Sequence, residues 1–279
     1  MRFHSLTKVL SFPLLAIAIF IFYINYDRPF EDKGYIFIPV VLLVVLYVFN
    51  GPIDHWWRTK YPVKFDEKLD EWLVRFFRPY NQMPEEIKTK FQNRLTIYMD
   101  ARLFQSVGSE MKEVPHDIKC MVSAHGVYMT LQQDDYLIGD TDRIFLYKHP
   151  FPSPNHPFLH NVEYNAEDGV IILSLEQLSN AILQPETYYN IAYHAYAEAF
   201  LNNTKQLITV DVQDSWPQIE TISGWSQEQI QAQTGFSQLE LLPVHITLYF
   251  SMPQQYQQEL PNQYEQWKQI FNTIHESWK

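Results

Sequence analysis

Two uninterrupted apolar runs open the chain, and after them short apolar stripes alternate with polar turns. Val9 to Tyr26 and Gly34 to Asn50 contain no charged residue. As helices rising 1.5 Å per residue they reach about 26–27 Å each, close to the hydrocarbon thickness of a bilayer. The second run is apolar on every side, unlike a core helix. Asp27-Arg28-Pro29-Phe30-Glu31 follows the first run, with no small-x-small cleavage site, which argues against a signal peptide. The pattern predicts a transmembrane hairpin over residues 1–50, with helices at 9–26 and 34–50. Tyr23, Tyr26, Tyr47, Trp56 and Trp57 are placed for an interfacial belt. Arg2 and Lys8 precede the hairpin, Arg28 and Lys33 lie in its loop, and Arg58, Lys60, Lys64 and Lys68 follow it. The excess outside the loop predicts a two-pass protein with its N-terminus and soluble domain cytoplasmic, at the inner membrane if bacterial.

Residues 51–80 read as a juxtamembrane connector, with an amphipathic helix from about Asp66 to Phe77. Pro84-Glu85-Glu86 starts a helix expected to run to about Ser106, with Pro in the first turn and acids at the positive end of the dipole. Pro115-His116-Asp117 opens another, about 116–130. Arg143 to Lys148 reads as a strand, and Pro150 to Pro157 as loop. Val162 to Tyr164 and Val170 to Ser174 read as short strands, the latter ended by a Ser-x-x-Gln helix start. Tyr188 to Leu201, Leu239 to Phe250 and Asn262 to Trp278 read as helices. Residues 205–235 are polar and show no clear period. The fold class expected for residues 81–279 is α+β, mainly helical with a small sheet.

Charge and composition narrow the partners. The net charge is −11 and no basic stripe appears, which argues against nucleic acid. Cys120, the single cysteine, lies in the apolar stretch Ile118 to Val122 and reads as a buried small hydrophobe. His116, His125, His149, His156 and His160 fall on different expected elements without ligand spacing. No glycine-rich phosphate loop, Gly-x-Ser-x-Gly elbow or Cys-x-x-Cys is present. Asn202-Asn203-Thr204 matches a glycosylation sequon, which has no meaning for a cytoplasmic domain.

The stretch richest in chemistry is Tyr193-His194-Ala195-Tyr196-Ala197-Glu198-Ala199-Phe200. His194 and Glu198 are four apart and share a helix face. Zinc peptidases use this spacing as His-Glu-x-x-His, with two metal-binding histidines and a glutamate as general base. Around it stand Pro115 to Lys119, Arg143 to Phe151, Gly169 to Ser174, Asn190 to His194, Glu240 to Val244 and Tyr249 to Pro253. In this order, over most of residues 85–275, the chain resembles the zinc peptidase family of Mlc titration factor A.

The resemblance implies a zincin-like fold. It places the first metal-binding histidine at His194, the general base at Ala195 and the second histidine at Glu198. The downstream metal-binding carboxylate falls near Glu240, and the family's other glutamate position is Thr247. Alanine cannot accept a proton, and loss of a general base removes about 10²–10⁴-fold of rate. The leading expectation is a membrane-anchored pseudoenzyme without a required cofactor, acting by binding an unidentified protein or peptide. A second is a divergent peptidase with zinc held by His194, Glu198 and Glu240. A third is a structural membrane module. If the motif is not a metal site, His194 and Glu198 contact each other across one helical turn.

Overall fold

The computed structural model describes residues 5–26, 34, 37–61, 64–108, 113–204 and 208–273. The chain divides into two compact units, Met1–Phe65 and Asp66–Lys279. The second half of the expected connector therefore belongs with the second unit.

The first unit contains α1 (Leu6–Ile24), α2 (Phe37–Val48) and α3 (Asn50–Lys60). α1, with 19 residues and a mean hydropathy of 2.1, is the one helix among the described residues long and apolar enough to cross a membrane. α2 is apolar but has 12 residues, about 18 Å of helix. The expected loop at 27–33 lies outside the described residues. α2 runs into α3 with little interruption, since Phe49 N–H donates to Val45 O and Ile53 N–H to Phe49 O. Pro52 has no N–H to offer Val48 O, and the helix is interrupted at Phe49. Asp54 then clasps the start of α1. Its Oδ1 accepts from Thr7 N at 2.9 Å, and its Oδ2 from Thr7 Oγ1 at 2.9 Å and Ser5 Oγ at 2.5 Å. A carboxylate at the positive end of a helix is favourably placed. α1 and α2 also pack on each other.

The second unit is mainly helical with a small mixed sheet. It opens with α4 (Glu67–Phe76), α5 (Arg78–Gln82) and α6 (Glu85–Ala101). Next come β1 (Leu103–Val107), α7 (His116–Met129), β2 (Arg143–Tyr147), β3 (Val162–Asn165) and β4 (Val170–Ser174). It closes with α8 (Leu175–Leu183), α9 (Ile191–Asn203), α10 (Trp216–Ser223), α11 (Gln227–Thr234), α12 (Leu241–Ser251), α13 (Pro253–Glu259) and α14 (Pro261–Phe271). The strand order is β1-β2-β4-β3, with β1, β2 and β4 parallel and β3 antiparallel at one edge.

Two expectations need correction. The helix from Glu85 ends at Ala101 rather than Ser106, because Arg102 turns extended (φ −111°, ψ 141°) and Leu103–Val107 pairs with Arg143–Tyr147. The aperiodic stretch 205–235 contains α10 and α11. α11 begins with a capping box between Ser226 and Gln229 and ends at the left-handed Gly235. A Cβ at Gly235 would sit 2.4 Å from the His160 Cα, so only glycine fits this turn. At the C-terminus, α13 precedes a helix that stops at Phe271, where Asn272 turns left-handed.

α9 is the central element, packed against α7, α8, α12, β3 and β4. Ala192, Ala195 and Ala199 are fully buried, and Asn203 continues their line to the Tyr164 hydroxyl of β3 at 2.9 Å. Small side chains at this spacing let the sheet lie close on the helix. On α7, Gly126 serves the same purpose. A Cβ there would meet the Tyr196 ring at 2.6 Å. Gly126→Ala is expected to lower stability by about 1–3 kcal/mol through overpacking, despite alanine's better helix propensity. The urea midpoint of the full chain in detergent measures this, and an unchanged midpoint would mean that Tyr196 moves freely.

Candidate functional site

The sequence places the start of α9 with one side chain. Asn190 Oδ1 accepts from Ala192 N and Tyr193 N, both at 3.1 Å, capping the helix. Its Nδ2 meets His125 Nε2 of α7 at 3.1 Å, while His125 Nδ1 lies 2.9 Å from Met121 O. A carbonyl only accepts, so Nδ1 carries the proton and Nε2 accepts from Asn190. Burial lowers the His125 pKa to about 4 and holds it in this neutral form.

His194 stands one turn further along, buried. Its Nδ1 is 2.7 Å from the hydroxyl of buried Tyr189, and its Nε2 faces Glu198 Oε1 at 3.6 Å, beyond hydrogen-bond range. Burial, above all, drives the Tyr189 pKa upward, with the neighbouring Thr247 hydroxyl opposing and the charge of Glu198 adding to it. The phenol thus stays protonated and is available to donate to Nδ1, which leaves Nε2–H directed at the carboxylate. Trp225 closes the other side of Tyr189, with ring centroids 6.1 Å apart. Glu198 is partly open, with 32% of its side chain exposed.

The structure therefore brings His194 and Glu198 together, with Tyr189 and Thr247 beside them. Ala195 is fully buried and carries no functional group. Glu240 is an exposed residue at the N-cap of α12, and its side chain caps nothing. Thr247 is buried on α12 and donates to Pro243 O at 2.8 Å. Among the described residues no group of three or more His, Cys, Asp or Glu side chains is placed to hold a metal ion. A catalytic zinc takes three protein ligands, and one imidazole with one carboxylate does not fit it.

Two further polar centres are structural. His245 Nε2 is 2.7 Å from Ser215 Oγ and its Nδ1 2.7 Å from Tyr256 Oη. This resembles a nucleophile and base, yet Ser215 donates to Val212 O at 2.6 Å, away from the imidazole. Trp267 Nε1–H donates to Tyr256 at 3.0 Å, completing a one-way chain of donors. Buried His160 and Glu163 pair at 3.1 Å, with His160 Nδ1 on Phe158 O. Cys120 is buried, and its thiol is pushed up to about 12, which makes it inert.

Sequence reasoning identified His194 and Glu198 but gave no role to Tyr189, His125 or Trp225. Asn190 was visible as a cap residue before an apolar run, whereas its histidine partner lies on another helix. No protein-family model matches the chain, and no curated protein or solved structure matches it.

The two buried neutral histidines make stability depend on pH. Burial lowers both His125 and His245 to about 4, against about 6.5 in an unfolded chain. The unfolded state takes up protons first, so stability is full above about pH 6.5 and falls as the pH drops toward 4. The expected loss is of order 3 kcal/mol per histidine. Melting temperatures from pH 7 to 4.5 are expected to fall for the wild type and to fall less steeply for His125→Gln. Equal slopes would remove His125 from this account.

Proposed function

We propose that this chain is a membrane-anchored, non-catalytic member of the zincin-like group, related to the Mlc titration factor A peptidases, which acts by binding an extended protein segment. The observation that carries the reading is the engagement of His194. One ring nitrogen is bonded to Tyr189, the other faces Glu198, and the general-base position is the buried methyl of Ala195. Two of these changes remove something hydrolysis needs, a ligand set and a base. The small mixed sheet with an antiparallel edge strand lying on α9 supports the zincin-like reading.

The binding surface in this reading lies where β3 meets α9. Asn161 N–H donates to Thr234 O, and Gly235 packs on His160, so the first part of β3 is covered. Tyr164 and Asn165 remain partly exposed, and the edge beside them offers a short stretch for strand addition. Phe158 and Leu159, exposed in the preceding loop, supply apolar contact area next to it.

Metal content and proteolysis test the reading together. The full chain in detergent is expected to hold no stoichiometric zinc after dialysis and to cleave no unfolded protein substrate. One zinc per chain, lost together with proteolysis in His194→Ala, would overturn it.

For the anchor, the proposal is a two-pass hairpin with both ends cytoplasmic. The Asp54 clasp supports it by holding the start of α1 against the helix that follows α2. Replacing Cys120 by alanine and labelling single cysteines introduced at positions 3 and 30 is expected to show them on opposite faces of the membrane. Labelling from the same face would refute the hairpin.

A further inference from the structure

The two apolar runs of the first unit are bracketed by charge. Lys8 is the last charged residue before the uncharged stretch that starts at Val9, and Asp54 is the first after the stretch that ends at Asn50. The fold brings both to the wall of one cavity of about 590 Å³, between the start of α1, the end of α2 and α3. That volume lies in the range of small-molecule sites, roughly 300–1,000 Å³.

The wall is divided by chemistry. Lys8 comes from α1, and Asn50 and Asp54 come from α3. Asp54 is fixed in place by its bonds from Ser5 and Thr7. Asn50 Nδ2 donates to Tyr47 O at 2.9 Å, and its amide also carries an oxygen able to accept from a cation. Leu43, Leu46 and the Tyr47 ring of α2 form the apolar side. Beyond the cavity, α1 and α2 expose apolar side chains, Phe12 and Val45 among them. A ligand that fits carries an anion for Lys8, a cation for Asp54 and hydrocarbon for the leucines. Lys8 and Asp54 stand where the apolar runs end, so in a bilayer the cavity lies at headgroup depth, the level at which tyrosines such as Tyr47 are enriched.

We infer that this cavity binds the headgroup of a phospholipid with a primary ammonium, of the phosphatidylethanolamine class. The phosphate faces Lys8, the ammonium faces Asp54 and the Asn50 carbonyl, and the chains run along α1 and α2. A purely anionic headgroup would meet the charge of Asp54, and a quaternary ammonium has no N–H to give a carboxylate. Quaternary ammonium groups are recognised by aromatic cages, and among the described residues Tyr47 supplies the one aromatic ring on this wall. The inference rests on the membrane-anchor reading above and names the lipid that the anchor selects.

The test places the full chain in detergent with equal amounts of dioleoyl phosphatidylethanolamine, phosphatidylcholine and phosphatidylglycerol, and native mass spectrometry reads the lipid retained. Flotation with vesicles of the same three lipids tests the anchor itself. The ethanolamine lipid is expected to be retained about five-fold over the other two, the effect of one partly exposed ion pair. Asp54→Asn is expected to abolish this preference, and Lys8→Gln to lower retention of the ethanolamine lipid by a similar factor. Leu46→Trp, which fills the apolar side and lies outside the Asp54 clasp, is expected to abolish selective retention, with circular dichroism melts showing that each variant folds. Excess glycerophosphoethanolamine, the same headgroup without chains, is expected to leave the lipid in place. Equal retention of the three lipids by the wild type, a preference for either of the other two, selectivity unchanged in Leu46→Trp, or displacement by the soluble headgroup would overturn the inference and leave the anchor reading standing. A chain that fails to float with the vesicles would overturn both.

Discussion

The structure of the second unit depends on the burial of α9 against the sheet. A helix that carries a histidine, a glutamate and three other aromatic side chains would ordinarily stand off from a sheet by the width of a large residue. Ala192, Ala195 and Ala199 remove that width along one line, and the sheet settles onto the backbone. The bulky side chains pack on the neighbouring helices. Tyr193 stacks with Phe250 of α12, and Tyr196 fills the space left by Gly126 of α7. Ala195 thus serves packing. A glutamate there would bury an unpaired charge beneath the sheet, at a cost the fold has no partner to offset.

The polar groups around His194 follow from the same burial. An imidazole this far from water needs partners at both nitrogens. Tyr189 is locked in its phenol form by desolvation and meets one of them, while Glu198 faces the other across a wider gap. Tyr189 comes from the segment just before α9, and Thr247 from α12. The imidazole is thus bonded at Nδ1, with a carboxylate near its other nitrogen.

Much of this was legible in the sequence where one element decides the matter. The apolar runs, the Pro-Glu-Glu and Ser-x-x-Gln starts, and the spacing of His194 and Glu198 are local signals, and helices and strands formed close to where these lay. Strand β1 was not legible, because Leu103–Val107 continues a helical stretch and becomes a strand only by pairing with β2, far along the chain. The same holds for the site. His125, Tyr189 and Thr247 reach α9 from different elements, and no spacing in the sequence announces that they meet. The helix in residues 216–223 was hidden for a further reason, since its buried residues are confined to Ile219 and Ile222.

The Asp54 clasp and the partners of α9 together impose an order of assembly. In the first unit, Ser5, Thr7 and Asp54 join the start of α1 to α3 without any later residue. The second unit cannot finish until α12 has been made, because that helix covers Tyr193 through Phe250 and supplies Thr247 beside Tyr189. A nascent chain therefore passes through a stage in which the first unit is complete and the second still has its aromatic core open. Such a species is prone to wrong contacts with neighbours that have the same exposed core. Slow translation between α9 and α12 would lengthen this stage, which makes the interval a point where yield in a recombinant host is decided.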